Sequence, residues 1–388
     1  MNIVFFTHPD FPGIRSMAIF SEMLADGMQR RGHTIKIWTS TPRFSRIPLL
    51  SAARKWMVYI DQYIVFPREV KMRLKHCPAD TLFVFTDHSL GAWIPLAAKN
   101  TNIIHCHDFL AQYSALGKIA ENPVSWTGKL YQGVIRKGFK KGKNFISVSN
   151  KTREDLHKFI GYHPEQSQVI YNGLSKIFKP EDVTMARALL NSKTGVSLTE
   201  GYILHVGSDQ WYKNRIGVIE IYDALRNTGE FDLPLLMIGN LPSGNLLKRI
   251  KLSPFYKDIH VISNMDIEYL RLAYCGASVF LFPSLAEGFG WPIAEAMACG
   301  CPVVTTNEAP MTEVAGDAGF FIPRRPYSNQ DAFSWAEEAS KIVRKILKLS
   351  VAERETVVKN GLANAARFDI EKALDQIEDM YKKVLGIV

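Results

Sequence analysis

Ser278-Val-Phe-Leu-Phe-Pro-Ser-Leu-Ala-Glu-Gly-Phe-Gly-Trp-Pro-Ile-Ala-Glu-Ala-Met-Ala-Cys-Gly-Cys-Pro-Val-Val-Thr-Thr306 reads as strand, loop, helix and strand in succession. Val279 to Phe282 is a short apolar, β-rich run that stops at Pro283, the pattern of a buried strand. Glu287 to Trp291 forms a loop in which Gly288 and Gly290 flank Phe289, so the backbone can turn sharply and bring its N–H groups close to a ligand. Pro292 suits the first turn of a helix and is followed by the helix formers Ala294, Glu295, Ala296, Met297 and Ala298. Gly300 ends that helix, and Pro302-Val303-Val304 begins the next strand.

A glycine-flanked loop that opens into a helix N-terminus is a ready anion site, because unpaired N–H groups and the helix dipole point at one place. Glu287 in the loop and Glu295 in the helix frame it, and a carboxylate can accept two hydroxyl hydrogen bonds from a sugar or ribose. Taken singly, Glu287 is an ordinary solvated loop residue and Glu295 an ordinary helix residue. In step with the glycines and the proline they suggest a nucleotide-sugar, phosphates on N–H groups and hydroxyls on carboxylates.

The stretch resembles the donor-binding signature of the retaining glycosyltransferases of family four. Their pattern, Pro-Ser-x-x-Glu-Gly-Phe-Gly-x-Pro-x-x-Glu-Ala-Met-Ala-x-Gly-x-Pro-Val-Val, is met at nearly every position of 283–304, and the likeness extends more weakly along the chain. The resemblance implies an α/β chain with the GT-B fold: two facing, doubly wound Rossmann-like domains and a C-terminal helix that crosses back. It implies an N-terminal acceptor-side domain at 1–173, joined by a helix at about 370–388, and a donor-binding domain at 174–369.

Working outward, the alternation of strand and helix patterns supports parallel sheets. Strands are expected at 2–7, 34–39, 81–86, 102–107, 144–149 and 168–171, then at 202–207, 235–239, 260–262, 279–282, 302–305 and 319–322. Met17–Arg31 has apolar residues at helical spacing, 42–78 is less regular with one or two amphipathic helices, polar residues 174–200 separate the halves, and 330–388 is helical. Ligands of such sheets lie beyond the carboxyl ends of the strands, so a cleft between domains is the expected active site.

His205-Val-Gly-Ser-Asp-Gln-Trp-Tyr-Lys213-Asn-Arg215 follows the first strand of the second half. A cation after a glycine turn at a helix start is placed to neutralise a diphosphate. The family often has Arg-Lys-Asn here. This chain keeps Gly207, Ser208, Lys213 and Asn214 but has Tyr212 where the arginine commonly stands, leaving Arg215 as the substitute or the diphosphate with one cation fewer. The resemblance makes Glu287 a partner of the donor-sugar hydroxyls and Glu295 of the ribose, with Gly288, Phe289 and Gly290 supplying N–H groups.

In the first half, His107-Asp108 ends a strand and resembles a strand-end His-Asp of the family, whose histidine contacts the donor sugar; a histidine capping the next turn is the plainer reading. Asp87-His88 stands at a parallel strand end and could line an acceptor pocket. The loop 9–16 keeps one glycine, Gly13, where the family usually has a pair, and Arg15 beside it could touch the acceptor. Thr312 replaces a proline of the family's Met-Pro-Glu-Val-x-Gly segment.

A chain of 388 residues, 47% hydrophobic and 22% charged, is globular and long enough for two domains. Cys77, Cys106, Cys275, Cys299 and Cys301 lack metal-ligand spacing and read as reduced thiols. The N-terminal strand lacks the basic flank and cleavage site of a signal peptide, and no apolar run approaches a bilayer span, so the expectation is a cytoplasmic protein. The net charge of +9 comes without a nucleic-acid motif. Its cations cluster beside aromatics at 54–75 and 126–143, which suits either a solvated basic face or peripheral attachment at the anionic inner face of the cell membrane.

The sequence reading is therefore a metal-independent retaining glycosyltransferase that takes a nucleoside-diphosphate sugar and a hydroxyl of a glycan or lipid-linked glycan, as in envelope polysaccharide assembly. A nucleotide-sugar epimerase on the same fold and a catalytically silent donor-binding subunit are the alternatives. A phosphorylase would need a pyridoxal-phosphate lysine and a much longer chain.

Overall fold

A computed structural model describes residues 1–9, 16–44 and 51–387. The chain divides into two compact units, 1–171 with 371–388 and 172–370. Each is built on a parallel sheet of six strands.

The first sheet has the order β2-β1-β3-β4-β5-β6, from β1 (Asn2–Phe6), β2 (Thr34–Trp38), β3 (Thr81–Phe85), β4 (Asn102–Cys106), β5 (Asn144–Ser147) and β6 (Gln166–Val169). β3, β4 and β5 are buried at every position, as in a parallel sheet whose two faces are covered by helices, and they carry the apolar runs Leu82–Phe85, Ile103–Ile104 and Phe145–Ile146. The edge strand β2 departs from this, and so does β6. β6 begins two residues before the expected 168 because Gln166, Ser167 and Gln168 pair with Asn144, Phe145 and Ile146 although they are polar. Phe6 stacks on Phe85 at 4.5 Å and lies edge-on to Trp38 at 5.5 Å, so the core of this unit is largely aromatic.

The C-terminal helix Ile370–Leu385 closes this first unit. It buries Ala373, Leu374, Ile377, Met380 and Tyr381, one stripe at three- and four-residue steps. Leu374 lies where any side chain at Gly27 would intrude, and Arg31 Nη2 donates to Glu371 Oε2 at 2.9 Å and Asp375 Oδ1 at 2.8 Å. His33 meets Glu378 at 3.1 Å, and His105 meets the Tyr381 hydroxyl at 2.8 Å.

The second sheet has the order β12-β11-β10-β7-β8-β9, from β7 (Ile203–Val206), β8 (Leu235–Ile238), β9 (Ile259–Ile262), β10 (Val279–Phe282), β11 (Val303–Thr306) and β12 (Phe320–Ile322). Its core is chiefly aliphatic, with Val279, Leu281, Val304, Leu235 and Met237 among its members. The polar segment before β7 contains a helix, Val183–Thr194, which Asp182 caps by accepting from Met185 N at 2.8 Å and Gly195 ends at φ 70°. Region 51–74 is one continuous helical run with a π turn at Asp61–Val65. Among the described residues no helix is long and apolar enough to cross a membrane.

Candidate functional site

Within the second unit, β10 ends at Phe282 and the chain passes through 283–290 into the helix Trp291–Ala298. Gly290 is the N-cap at φ 104°, a conformation that L side chains rarely adopt, and Pro292 lies in the first turn where its missing N–H costs nothing. Phe289 turns inward against Phe368, ring centroids 5.4 Å apart, so its side chain anchors the loop. Leu285 N donates to Tyr212 O at 2.7 Å, which ties this loop to the turn after β7.

That turn runs through Gly207 and Ser208 into a short 3-10 turn, Trp211–Lys213. Gly207 packs so closely on Gly239 that a β-carbon on the latter would overlap the Gly207 carbonyl. Asn214 adopts the left-handed conformation, φ 49° and ψ 43°, and caps the helix Arg215–Arg226 by accepting from Gly217 N at 3.2 Å. Its Nδ2 donates to Pro283 O at 2.9 Å.

Lys213 Nζ and Glu287 Oε1 meet at 2.7 Å, with side-chain exposures of 12% and 8%. The ammonium also faces the rings of Phe282 at 5.0 Å and Tyr212 at 5.2 Å. The two residues that the sequence reading gives to phosphate and sugar are thus a shielded ion pair on separate loops. Glu295 Oε2 accepts from Tyr274 OH at 2.9 Å. Burial pushes the Glu295 carboxyl up to about 7, against the pull of the Tyr274 hydrogen bond and the Lys213 charge.

Arg215 is 3% exposed. Its Nη1 donates to Asn240 O at 2.9 Å and lies 3.7 Å from Asp209 Oδ1, while Nε and Nη2 are buried without a hydrogen-bond partner. Burial lowers its pKa, which the Asp209 charge partly offsets. His205 below it is neutral, held down to about 3 by burial, with Nδ1 against Leu281 O at 2.9 Å.

The first unit carries a different cluster at the carboxyl ends of β1, β3 and β4. Asp87 is buried and accepts from Ser89 N at 3.0 Å and Ser89 Oγ at 2.6 Å, and its Oδ2 meets His8 Nε2 at 2.9 Å. Desolvation opposes ionisation, but the hydrogen bond from His8 and the close approach of His88 hold the carboxyl well below its usual range. His88 Nδ1 lies 3.0 Å from Asp87 Oδ1 out of hydrogen-bond alignment, and its ring is packed against Phe109 at 4.3 Å. His107 Nε2 is 2.9 Å from Thr86 O. A carbonyl only accepts, so Nε2 carries the proton and Nδ1 keeps a lone pair. Burial lowers the His107 pKa, which favours this neutral ring. Asp108 turns away, accepting from Leu110 N at 2.9 Å as a turn cap. Gly13 and Arg15 lie outside the described residues.

His8, Ser89 and Tyr274 complete these clusters, and the sequence reading passes over all three. His8 follows β1 directly and so shares the strand-end position that draws attention to Asp87 and His107. Tyr274 carries no such signal, being one aromatic among the buried residues of the helix Ile267–Gly276.

Two family models match the chain: "Glycosyl transferases group 1" over residues 187–363 and "Glycosyltransferase Family 4" over 17–176. Among curated relatives, the O-antigen chain mannosyltransferase B of Escherichia coli is 27% identical over 245 residues, 62% of this chain and 60% of that protein. The O-antigen chain mannosyltransferase RfbU of Salmonella typhimurium is 24% identical over 84% of this chain and 80% of its own length. Among solved structures, Anabaena HepE in complex with UDP and glucose superposes with a TM-score of 0.69 at 16% identity, covering 98% of both chains.

Proposed function

The chain belongs to the group 1, or family four, glycosyltransferases and has their GT-B fold, and from that premise we propose that it moves a hexose from a nucleoside-diphosphate sugar to a hydroxyl of a glycan or lipid-linked glycan, with retention at the anomeric carbon. The single observation that carries this reading is the shielded Lys213–Glu287 pair at the mouth of the Gly290-capped helix. A lysine beside a helix N-terminus opposes the charge of a departing diphosphate, and a carboxylate 2.7 Å away holds the hydroxyls of the sugar it leaves.

In the proposed step the acceptor oxygen forms a bond to C1 on the face from which the phosphate departs. The C1–O bond to the diphosphate breaks, its electron pair stays on the phosphate oxygen, and the acceptor proton follows to that oxygen. Lys213 and the dipole of the helix Trp291–Ala298 stabilise the leaving charge, so the scheme needs no metal. Glu287 orients the sugar, and in the first unit the His107 Nδ1 lone pair is the acceptor offered to a hydroxyl. Glu295 accepts from the ribose. Arg215, walled in behind Asn240 and Asp209, is the second positive charge in place of the arginine that the family commonly has where Tyr212 stands, and it acts through its field.

O-antigen assembly in two curated relatives supports an envelope polysaccharide acceptor, and the UDP and glucose in HepE support a nucleoside-diphosphate hexose donor. The test is a thermal-shift panel of UDP- and GDP-hexoses, followed by transfer assays with the stabilising donor. Stabilisation by one diphosphate family, lost in Lys213→Ala and Glu295→Ala, is expected, because a ligand that binds only the folded state raises the melting temperature. Silence across the panel would overturn the reading.

A further inference from the structure

Among the described residues of the first unit, large aromatic and aliphatic side chains stand exposed on the helix Trp126–Phe139 and on the helical run 51–74. The helix Trp126–Phe139 is fastened to the turn His88–Ala92 by two glycines: a methyl group on Gly138 would overlap the Gly91 carbonyl, and one on Gly91 would overlap the Ile135 carbonyl. Ile135 and Phe139 fill the inner face. The outer face bears Trp126, Leu130 and Val134, which are 73%, 54% and 52% exposed and stand four residues apart in one row. Lys137 continues that row.

Tyr131 extends this face sideways. Its hydroxyl is 2.8 Å from that of Tyr63, which leads through Tyr59 to Trp56 with successive ring centroids 6.0 Å apart. The exposed Trp56, Tyr59 and Tyr131, joined through the half-buried Tyr63, thus form one ridge across two helices. On the other flank, Lys118, Arg136, Lys140 and Lys158 line an open cavity of about 330 Å³ with Tyr113 and Phe159. The sequence has no acid from 122 to 153. Beside the cavity the buried Asp155 accepts from Tyr113 at 2.7 Å and pairs with Lys151 and Lys158, while Lys118, Arg136 and Lys140 form no ion pair among the described residues. The acids of the facing helical run, Asp61 and Glu69, are buried. Asp61 is taken up by the backbone N–H groups of Arg43 and Phe44, Glu69 by Arg43 and Arg73.

We propose that this face docks on an anionic phospholipid surface. The ridge centred on Trp126, Leu130 and Val134 enters the headgroup boundary, and the basic cavity beside it takes a lipid phosphate. Apolar burial and cation attraction are the two contributions that hold an interfacial helix, and tryptophan and tyrosine favour that depth. The charge pattern selects the occupant. A protein partner with an apolar face would not call for a cavity lined by four cations, and a free anion would not call for an exposed tryptophan. The inference deepens the proposed function by bringing the enzyme to the surface where a lipid-linked acceptor would lie.

The test is sedimentation of the full chain with vesicles of phosphatidylcholine alone, or with about a third phosphatidylglycerol, at low and high salt. Binding is expected only to the anionic vesicles and is expected to weaken with salt. Leu130→Ser/Val134→Ser removes exposed apolar surface, and Lys137→Glu/Lys140→Glu reverses charge. Each double variant should lower vesicle affinity by about tenfold or more while the melting temperature stays put. Wild-type protein that ignores anionic vesicles, or variants that bind them undiminished, would overturn the proposal. So would size-exclusion showing that the variants instead dissociate a dimer, since a second copy would then be the occupant. Nucleotide-sugar affinity in the same variants reads the proposed transfer site separately, so either reading can fail without the other.

Discussion

The carboxyl ends of the two sheets carry opposite chemistry. Around β7 and β10 the chain gathers a lysine, a buried arginine and a helix N-terminus, with one carboxylate already paired and another held near neutral protonation. Around β1, β3 and β4 it gathers one strongly ionised carboxylate and neutral or hydrogen-bonded imidazoles. In the proposed scheme the first arrangement holds phosphate, and the second offers acceptors to hydroxyls. One architecture used twice therefore prepares two unlike surfaces, and the difference rests on a few side chains at strand ends.

The strongest way to break this comparison is at the ion pair. Glu287→Ala is expected to abolish measurable transfer, on the order of 10³-fold or more, and Lys213→Ala to lower kcat by roughly 10²–10³-fold, with the wild-type circular dichroism spectrum kept and melting lowered, because each variant leaves one member of a shielded pair without its partner. Unchanged turnover in either variant would remove the second sheet's cation from the chemistry.

The corresponding test in the first unit reads stability. Asp87 has a folded-state pKa below the ordinary 3.8, so its contribution is fully present above that value and is lost as pH falls through the lowered one. Asp87→Ala leaves His8 and Ser89 without their acceptor and is expected to destabilise by about 3 kcal/mol at neutral pH. Chemical denaturation at two pH values checks both statements; a variant with a wild-type midpoint and the same acid sensitivity would contradict them.

Glu295 sharpens the comparison more gently. Its folded-state pKa, raised from 4.5 to about 7, means that the native carboxyl retains its proton between these values and opposes folding increasingly as pH rises through that window. A ribose hydroxyl is best accepted by the ionised form, so donor affinity should rise by up to about tenfold as pH increases through about 7, and Glu295→Gln should flatten the profile. Calorimetry with an intact nucleotide-sugar is the measurement, because its diester phosphates, unlike a terminal phosphate, do not titrate there. The smallest expected effect is that of excess chelator, which should leave transfer unchanged; loss restored by magnesium would place a metal where Lys213 is now assigned.

The fold was readable because the central strands are buried on both faces and therefore carry apolar runs, which after β7, β8 and β10 stop at Gly207, Gly239 and Pro283. Val279–Phe282 is found as read. Where that rule lapses the reading drifts. The polar edge strand Gln166–Val169 carries no apolar run, and the helix Val183–Thr194 buries only Ala186 and Leu190, too thin a stripe to stand out from a linker. In the site, the loop glycine with a special backbone need was legible, and Gly290 adopts a left-handed conformation that few other residues tolerate; Asn214 does so too, although the sequence reading marks it only as a retained residue. The pairing of Lys213 with Glu287 was not, because 74 positions separate them and only the parallel pairing of β7 with β10 brings their loops together. Nor could spacing reveal that Arg215 would be enclosed, since its burial depends on Asn240 and Asp209, which sit on two different loops.

The helix Ile370–Leu385 belongs to the unit whose sheet is complete by residue 169. Synthesis on a ribosome therefore delivers the two units out of order. Residues 172–370 are contiguous and can finish folding as they emerge, whereas the earlier-made unit waits with Leu374, Ile377 and Tyr381 still absent from its surface and His105 without its hydroxyl partner. For the time it takes to translate some two hundred residues, at roughly 5–20 per second, the nascent first half is an incomplete protein with an open apolar groove. A nascent chain stalled before residue 370 should thus be a better chaperone client than one that has released the helix Ile370–Leu385 from the ribosome.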